Sequence, residues 1–74
     1  MGVDFDTDYV TKDEWVVSFV DNLYVINILI LEPNGTVHRA GTTRETLSEI
    51  DDAEQFAELI VSTKREEIEM WGRR

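Results

Sequence analysis

The longest apolar run of the chain extends from Leu23 to Leu31, and Asn27 is its one polar residue. The run is rich in Val and Ile, and Pro33 and Gly35 follow it, so it predicts a β-strand rather than a helix. It is also shorter than the ~20 apolar residues that cross a bilayer. Because both faces of this strand are apolar, we expect that both faces need cover.

Residues 3–10 alternate between apolar and acidic, which is typical of a strand with one solvated face. The carboxylates of Asp4, Asp6 and Asp8 point to one side, and Tyr9 points to the other. Asp is a poor strand former, and charge hinders pairing between sheet edges. The pattern therefore predicts an edge strand.

The second strand is predicted from Trp15 to Val20. Asp21 and Asn22 tolerate the left-handed backbone of a two-residue hairpin loop, so we place the turn there. In that register Val20 lies opposite Leu23.

The sequence EPNG at residues 32–35 predicts the next hairpin. Pro suits the second position of a type I turn and Gly suits the left-handed position after it, which gives a three-residue loop with a bulge. The register then sets Leu31 opposite Val37, and the fourth strand is predicted to end near Gly41.

A C-terminal helix is predicted after a short extended piece from Thr42 to Leu47. Asp51 or Asp52 is expected to cap the helix, since each precedes Glu or Gln by three residues. The apolar residues at helical spacing form one stripe: Ala53, Phe56, Ala57, Ile60, Val61, Ile68 and Trp71. Polar residues interrupt this stripe, so the second half of the helix is predicted to project past the sheet, with Trp71 docking on the core.

Directly opposed residues of a hairpin share a face, so the strands present two apolar faces. The core face is predicted to hold Trp15, Val17, Phe19, Tyr24, Ile26, Ile28, Ile30, His38 and Ala40. The opposite face, which we name the open sheet face, is predicted to hold Val16, Ser18, Val20, Leu23, Val25, Asn27, Leu29, Leu31, Val37 and Arg39.

The predicted fold is α+β, a four-stranded antiparallel meander with one C-terminal helix on the core face, in a single domain of 74 residues. No other predicted element covers the open sheet face, unless the sheet curls or residues 42–50 fold across it. An exposed apolar patch of this kind usually marks an interface. The candidate partner-binding residues are Asp4, Asp6, Asp8, Val16, Val20, Val25, Asn27, Leu29, Leu31, Val37 and Arg39.

The charge balance narrows the choice of partners. The chain holds 16 acidic and 7 basic residues, for a net charge of −9. Such a surface repels nucleic acid and anionic membranes, so we expect neither as a direct partner and favour a basic protein. The chain has no cysteine and no basic, apolar leader, which fits a cytoplasmic location, the host cytoplasm if the protein is viral.

The sequence offers few candidates for catalytic or metal-binding residues. His38 is the one histidine, and the hairpin register places it beside Ile30, as a packed or rim side chain. Alternate residues of a strand stand about 6.8 Å apart, which is too far for Asp4, Asp6 and Asp8 to share one metal ion easily at ~2.0–2.6 Å. We predict no catalytic residues, no metal and no cofactor.

The sequence therefore predicts a non-enzymatic protein-binding domain with an acidic rim. In size and charge, and not in any motif, it resembles the small acidic inhibitors of phages and mobile elements, such as anti-defence and immunity proteins. One alternative is a nucleic-acid mimic of the anti-CRISPR kind, whose carboxylates block a basic nucleic-acid-binding enzyme. Another is a structural homodimeric subunit, because two-fold dimers are the commonest oligomers.

Overall fold

A computed structural model describes residues 3–5, 7–23 and 25–72 of the protein. Two residues with a predicted position lie outside these ranges. They are Asp6, predicted on the acidic side of the first strand, and Tyr24, predicted on the core face. The elements are β1 (Asp8–Val10), β2 (Val16–Asn22), β3 (Val25–Leu31), β4 (Val37–Thr42), α1 (Arg44–Ser48) and α2 (Ala53–Gly72). The strands form one antiparallel sheet in the order β1-β2-β3-β4, which confirms the predicted meander with a C-terminal helix.

The register between β2 and β3 differs from the prediction. Val20 lies opposite Asn27, four residues beyond the predicted Leu23, and Asn22 lies opposite Val25. This register pairs every residue of both strands, whereas the predicted one leaves the end of β3 unpaired on this side. The longer ladder outweighs the strain at Leu23, whose φ is 24°. Because the shift is an even number of residues, the described residues that remain in β2 and β3 keep their predicted faces. Leu23, predicted on the open sheet face, lies instead in the turn.

The hairpin between β3 and β4 confirms the predicted turn and register. The Glu32 carbonyl accepts a hydrogen bond from the Gly35 N–H at 2.9 Å, and the Glu32 N–H donates to the Thr36 carbonyl at 2.9 Å. Gly35 has a φ of 96°, a conformation that favours glycine because a Cβ would strain it. Leu31 lies opposite Val37, as predicted.

β1 is shorter than predicted. Asp8 lies opposite Ser18, which places its carboxylate on the open sheet face, as expected. Upstream of β1 the chain leaves the ladder, since Val3 is buried in the core and the Asp4 N–H donates to Tyr9 Oη at 3.1 Å. The N-terminal segment therefore contributes to the core and does not lengthen the edge strand.

The extended piece predicted from Thr42 to Leu47 is wrong. After β4 ends, Thr43 caps the short helix α1 by accepting a hydrogen bond from the Thr46 N–H at 3.2 Å. Leu47 is 1% exposed, and Ile50 packs against the same core. Burial of Leu47 and the Thr43 cap favour a helical turn here, and the packing of Leu47 and Ile50 places the segment on the core side, away from the open sheet face.

The first half of α2 covers the core face as the stripe predicts. The Asp52 carboxylate accepts a hydrogen bond from the Gln55 N–H at 3.2 Å, which confirms the expected cap. Phe56 stacks on Phe19 with ring centroids 6.1 Å apart, and Ala57 is buried. The helix approaches the sheet most closely at β1, so the cover thins toward β4.

The second half of α2 is exposed from residue 65 to residue 72, as the polar stretch predicts. The Lys64 ammonium donates to the Glu67 carboxylate at 2.9 Å, which keeps its charge paired at the edge of the apolar stripe. Trp71 is 66% exposed, so the predicted docking of Trp71 on the core is wrong. The sheet does not extend as far as Trp71, and the helical spacing of the apolar residues could not show that.

Leu47→Ala is expected to lower the free energy of unfolding by about 2–4 kcal/mol, because it leaves a cavity in a fully buried site. Leu59→Ala is the matched control, since Leu59 is 61% exposed and its truncation should cost less than about 0.5 kcal/mol. Urea unfolding followed by circular dichroism measures both. Equal losses for the two variants would contradict the placement of α1 in the core.

Candidate protein-binding face

The open sheet face is built of rows that cross the sheet, in which each residue lies directly opposite the next. The first row, which we name the aliphatic row, consists of Val10, Val16, Leu31 and Val37. The second, which we name the charged row, consists of Asp8, Ser18, Leu29 and Arg39. A third row consists of Val20, Asn27 and Gly41.

Exposure along β3 shows that only one of its faces is covered. Ile28 and Ile30, on the core face, are 5% and 1% exposed, whereas Leu31, on the open sheet face, is 38% exposed. At the two ends of the aliphatic row, Val10 is 70% exposed and Val37 is 51% exposed. No segment of the described ranges lies over these side chains, so the face presents aliphatic surface to solvent.

The charged row carries an acid at one end and a base at the other. The Ser18 hydroxyl donates to the Asp8 carboxylate at 2.5 Å, which fixes that carboxylate on the open sheet face. Arg39, at the opposite edge, makes no ion pair with any residue in the described ranges. The other described Arg and Lys ion pairs join Arg44 to Asp21, Arg65 to Asp13 and Lys64 to Glu67. Arg39 therefore offers an uncompensated positive charge in an acidic protein.

The structure gathers most of the predicted binding residues on this face. Those that lie together on the strands are Asp8, Val16, Val20, Val25, Asn27, Leu29, Leu31, Val37 and Arg39. Asp4 does not join them, because the chain departs from the sheet before β1, and Asp6 lies outside the described residues. The prediction missed Val10, although its position two residues after Asp8 placed it on the same face.

His38 is packed at the end of the core face, where the hairpin register predicts it. Its Nε2 lies 2.6 Å from the Glu32 carboxylate, and its ring stacks on Trp15 at an interplanar angle of 13°. The core thus ends in an aromatic and charged corner beside the β3–β4 hairpin. Within the described ranges, no group of three or more His, Asp or Glu residues could hold a metal ion.

A shallow groove lies where the cover of the core face thins. It has a volume of about 250 Å³ and runs between α2 and the β3–β4 side of the sheet, with Ile28, Ile30, Ala40 and Ile60 among its lining residues. Lys64 and Glu67 border it, and they form the ion pair described above.

Comparisons with known proteins add no relative. No protein family, no curated protein and no solved structure matches this chain. None of the helices in the described ranges is both long enough and apolar enough to cross a membrane.

Leu29→Arg is expected to preserve the fold and to lower the free energy of unfolding by about 1 kcal/mol or less, because a long charged side chain on the open sheet face reaches water. Ile28→Arg, one residue away, is the matched variant on the core face. It should cost more than about 3 kcal/mol, since it buries an unpaired charge. Urea unfolding distinguishes the two. If Leu29→Arg unfolds the protein as Ile28→Arg does, the open sheet face is covered.

Proposed function

We propose that this protein is a non-enzymatic protein-binding domain that acts through its open sheet face. The observation that carries the proposal is the aliphatic row, which crosses all four strands and is exposed at both edges. Exposed apolar patches with a polar border are typical of protein interfaces. Leu29 and Leu31 lie on β3, one of the two inner strands, and supply the largest apolar side chains of this surface.

The charge of the protein indicates the kind of partner. A net charge of −9 attracts a basic surface over a distance and repels acidic ones, so the field favours basic proteins during encounter. A small acidic chain that captures a basic protein is suited to inhibition, which is the role of the phage and mobile-element proteins it resembles in size and charge. The apolar face provides the contact after encounter.

Nucleic-acid mimicry is the less favoured alternative. Mimicry needs carboxylates at regular intervals along one strand, and β1 begins only at Asp8. Asp4 precedes the strand, and its backbone N–H is bound to the Tyr9 hydroxyl. The described carboxylates of this segment therefore form no ladder that would replace a row of phosphates.

Leu29→Arg is expected to abolish binding through this face, because it places a charge in the middle of the apolar contact. The chain is used as bait in extracts of cells from its natural source, and the captured proteins are quantified by mass spectrometry for wild type, Leu29→Arg and Glu66→Arg. Glu66 is an exposed residue of α2, so its variant controls for an added arginine away from the sheet.

Proteins captured by wild type and by Glu66→Arg, but lost with Leu29→Arg, would support the proposal. Such capture should survive high salt, because it depends on apolar contact. Capture that Leu29→Arg leaves intact and that high salt removes would contradict the proposal and favour mimicry through the acidic surface.

A further inference from the structure

The charged row distinguishes the two edges of the open sheet face. Asp8 lies on edge strand β1 and Arg39 on edge strand β4, and the register places them at the same height along the strands. We propose that a second copy of this chain occupies the open sheet face, related to the first by a two-fold axis parallel to the strands. This inference rests on the proposed function of the face as a protein-binding surface, and it concerns self-association in addition to the basic partner proposed above.

The geometry of such an axis brings opposite charges together. Rotation by half a turn about an axis parallel to the strands lays one sheet on the other and exchanges its two edges, so that β1 of each copy lies over β4 of the other. Positions along the strands do not change. Asp8 of each copy therefore faces Arg39 of the other, and the dimer closes with two equivalent ion pairs.

The aliphatic row matches itself under the same rotation. Val10 of one copy lies over Val37 of the other, and Val16 lies over Leu31, so that every member of the row meets an aliphatic side chain. Leu29 lies over Ser18, next to the axis. The inner strands thus meet mainly through aliphatic side chains, and the two ion pairs lie at the edges of the interface.

The other face-to-face arrangement is disfavoured by charge. A two-fold axis perpendicular to the strands would lay β1 on β1 and β4 on β4. Both Asp8 residues would then share one edge of the interface and both Arg39 residues the other, and each pair would meet directly if the axis crossed the charged row. Like charges across an interface oppose association. The placement of one acid and one base in the same row therefore selects the parallel axis.

The area of the face sets the expected strength. The four strands hold 3, 7, 7 and 6 residues, and each strand residue covers about 16 Å² of a sheet in plan, which gives about 370 Å² per copy. With the added surface of its side chains, the pair lies at the low end of specific interfaces, at about 1,000 Å² in total. The net charge of each copy also opposes association. We therefore expect a dimer that dissociates in the micromolar range.

The test is sedimentation equilibrium of the full chain at physiological salt, from low micromolar to near-millimolar concentration. The variants are Asp8→Arg, Arg39→Asp and the combined charge exchange, and Glu66→Arg is the control for Asp8→Arg because it changes the net charge equally. Far-UV circular dichroism and urea unfolding verify that each variant is folded.

Wild type is expected to dimerise, and each single charge reversal is expected to weaken the dimer by about ten-fold or more. Asp8→Arg should do so although it lowers the net negative charge, whereas Glu66→Arg should leave the dimer unchanged or tighter. The combined exchange restores both ion pairs with reversed polarity, and its dissociation constant should return to within about three-fold of wild type.

Three results would overturn the dimer: a monomer at every concentration, a tighter dimer for Asp8→Arg than for Glu66→Arg, or a combined exchange no better than the single reversals. If the wild type is a monomer and Leu29→Arg still loses the captured proteins, the proposed dimer is rejected but the binding function of the face is supported. If Leu29→Arg leaves both the dimer and the captured proteins unchanged, the dimer through the open sheet face and the binding function of that face are both rejected.

Discussion

The structure depends on the inner strand β3, which is apolar on both of its faces. The rest of the chain supplies helices and an N-terminal segment that cover only one of these faces. β3 pairs with β2 on one side and β4 on the other, so its backbone is satisfied, and its odd and even side chains demand cover in opposite directions. α2, α1 and the N-terminal segment all pack on the Ile28 side. Small chains bury a modest fraction of their surface, and here the exposed apolar side chains lie partly on the open sheet face and partly on α2.

The distribution of charge limits which proteins can bind the open sheet face. An aliphatic face on an uncharged domain invites contact with any apolar surface, whereas a net charge of −9 keeps copies and other acidic proteins apart unless their surfaces match closely. Asp8 and Arg39 add a direction to the face, because they mark its two edges with opposite signs. The apolar rows supply attraction, and the charged row decides the orientation in which a partner fits.

The core side shows a related limit. A single helix is about 10 Å wide and strands stand about 4.8 Å apart, so one helix covers about two strands of a sheet. α2 lies nearest to β1, and the β4 side depends on a different set of contacts. There His38 stacks on Trp15 and pairs with Glu32, and beyond them the shallow groove exposes Ala40. The contacts of His38 with Trp15 and Glu32 mark the end of the core on this side.

The sequence by itself determined the fold class, the two faces and most of the candidate site. Alternation along the strands assigns each side chain to a face without knowledge of the exact pairing, because any even shift of register preserves the faces. This is why the strand residues of the open sheet face were predicted correctly, Leu23 excepted, from a β2–β3 register that was four residues out of place. The EPNG turn and the Asp52 cap were local signals that tertiary contacts had no reason to override.

Only the tertiary structure decided the features that depend on distant contacts. The β2–β3 turn moved because pairing along both whole strands outweighed the local preference of Asp21 and Asn22 for a turn. Arg44 to Ser48 became helical, with Thr43 as the cap, because Leu47 packs in a buried site, and Trp71 is exposed on the second half of α2. The alignment of Asp8 with Arg39 in one row required three registers at once. Local propensity fixes which face a residue takes, but the balance of burial and pairing across the whole sheet fixes its neighbours.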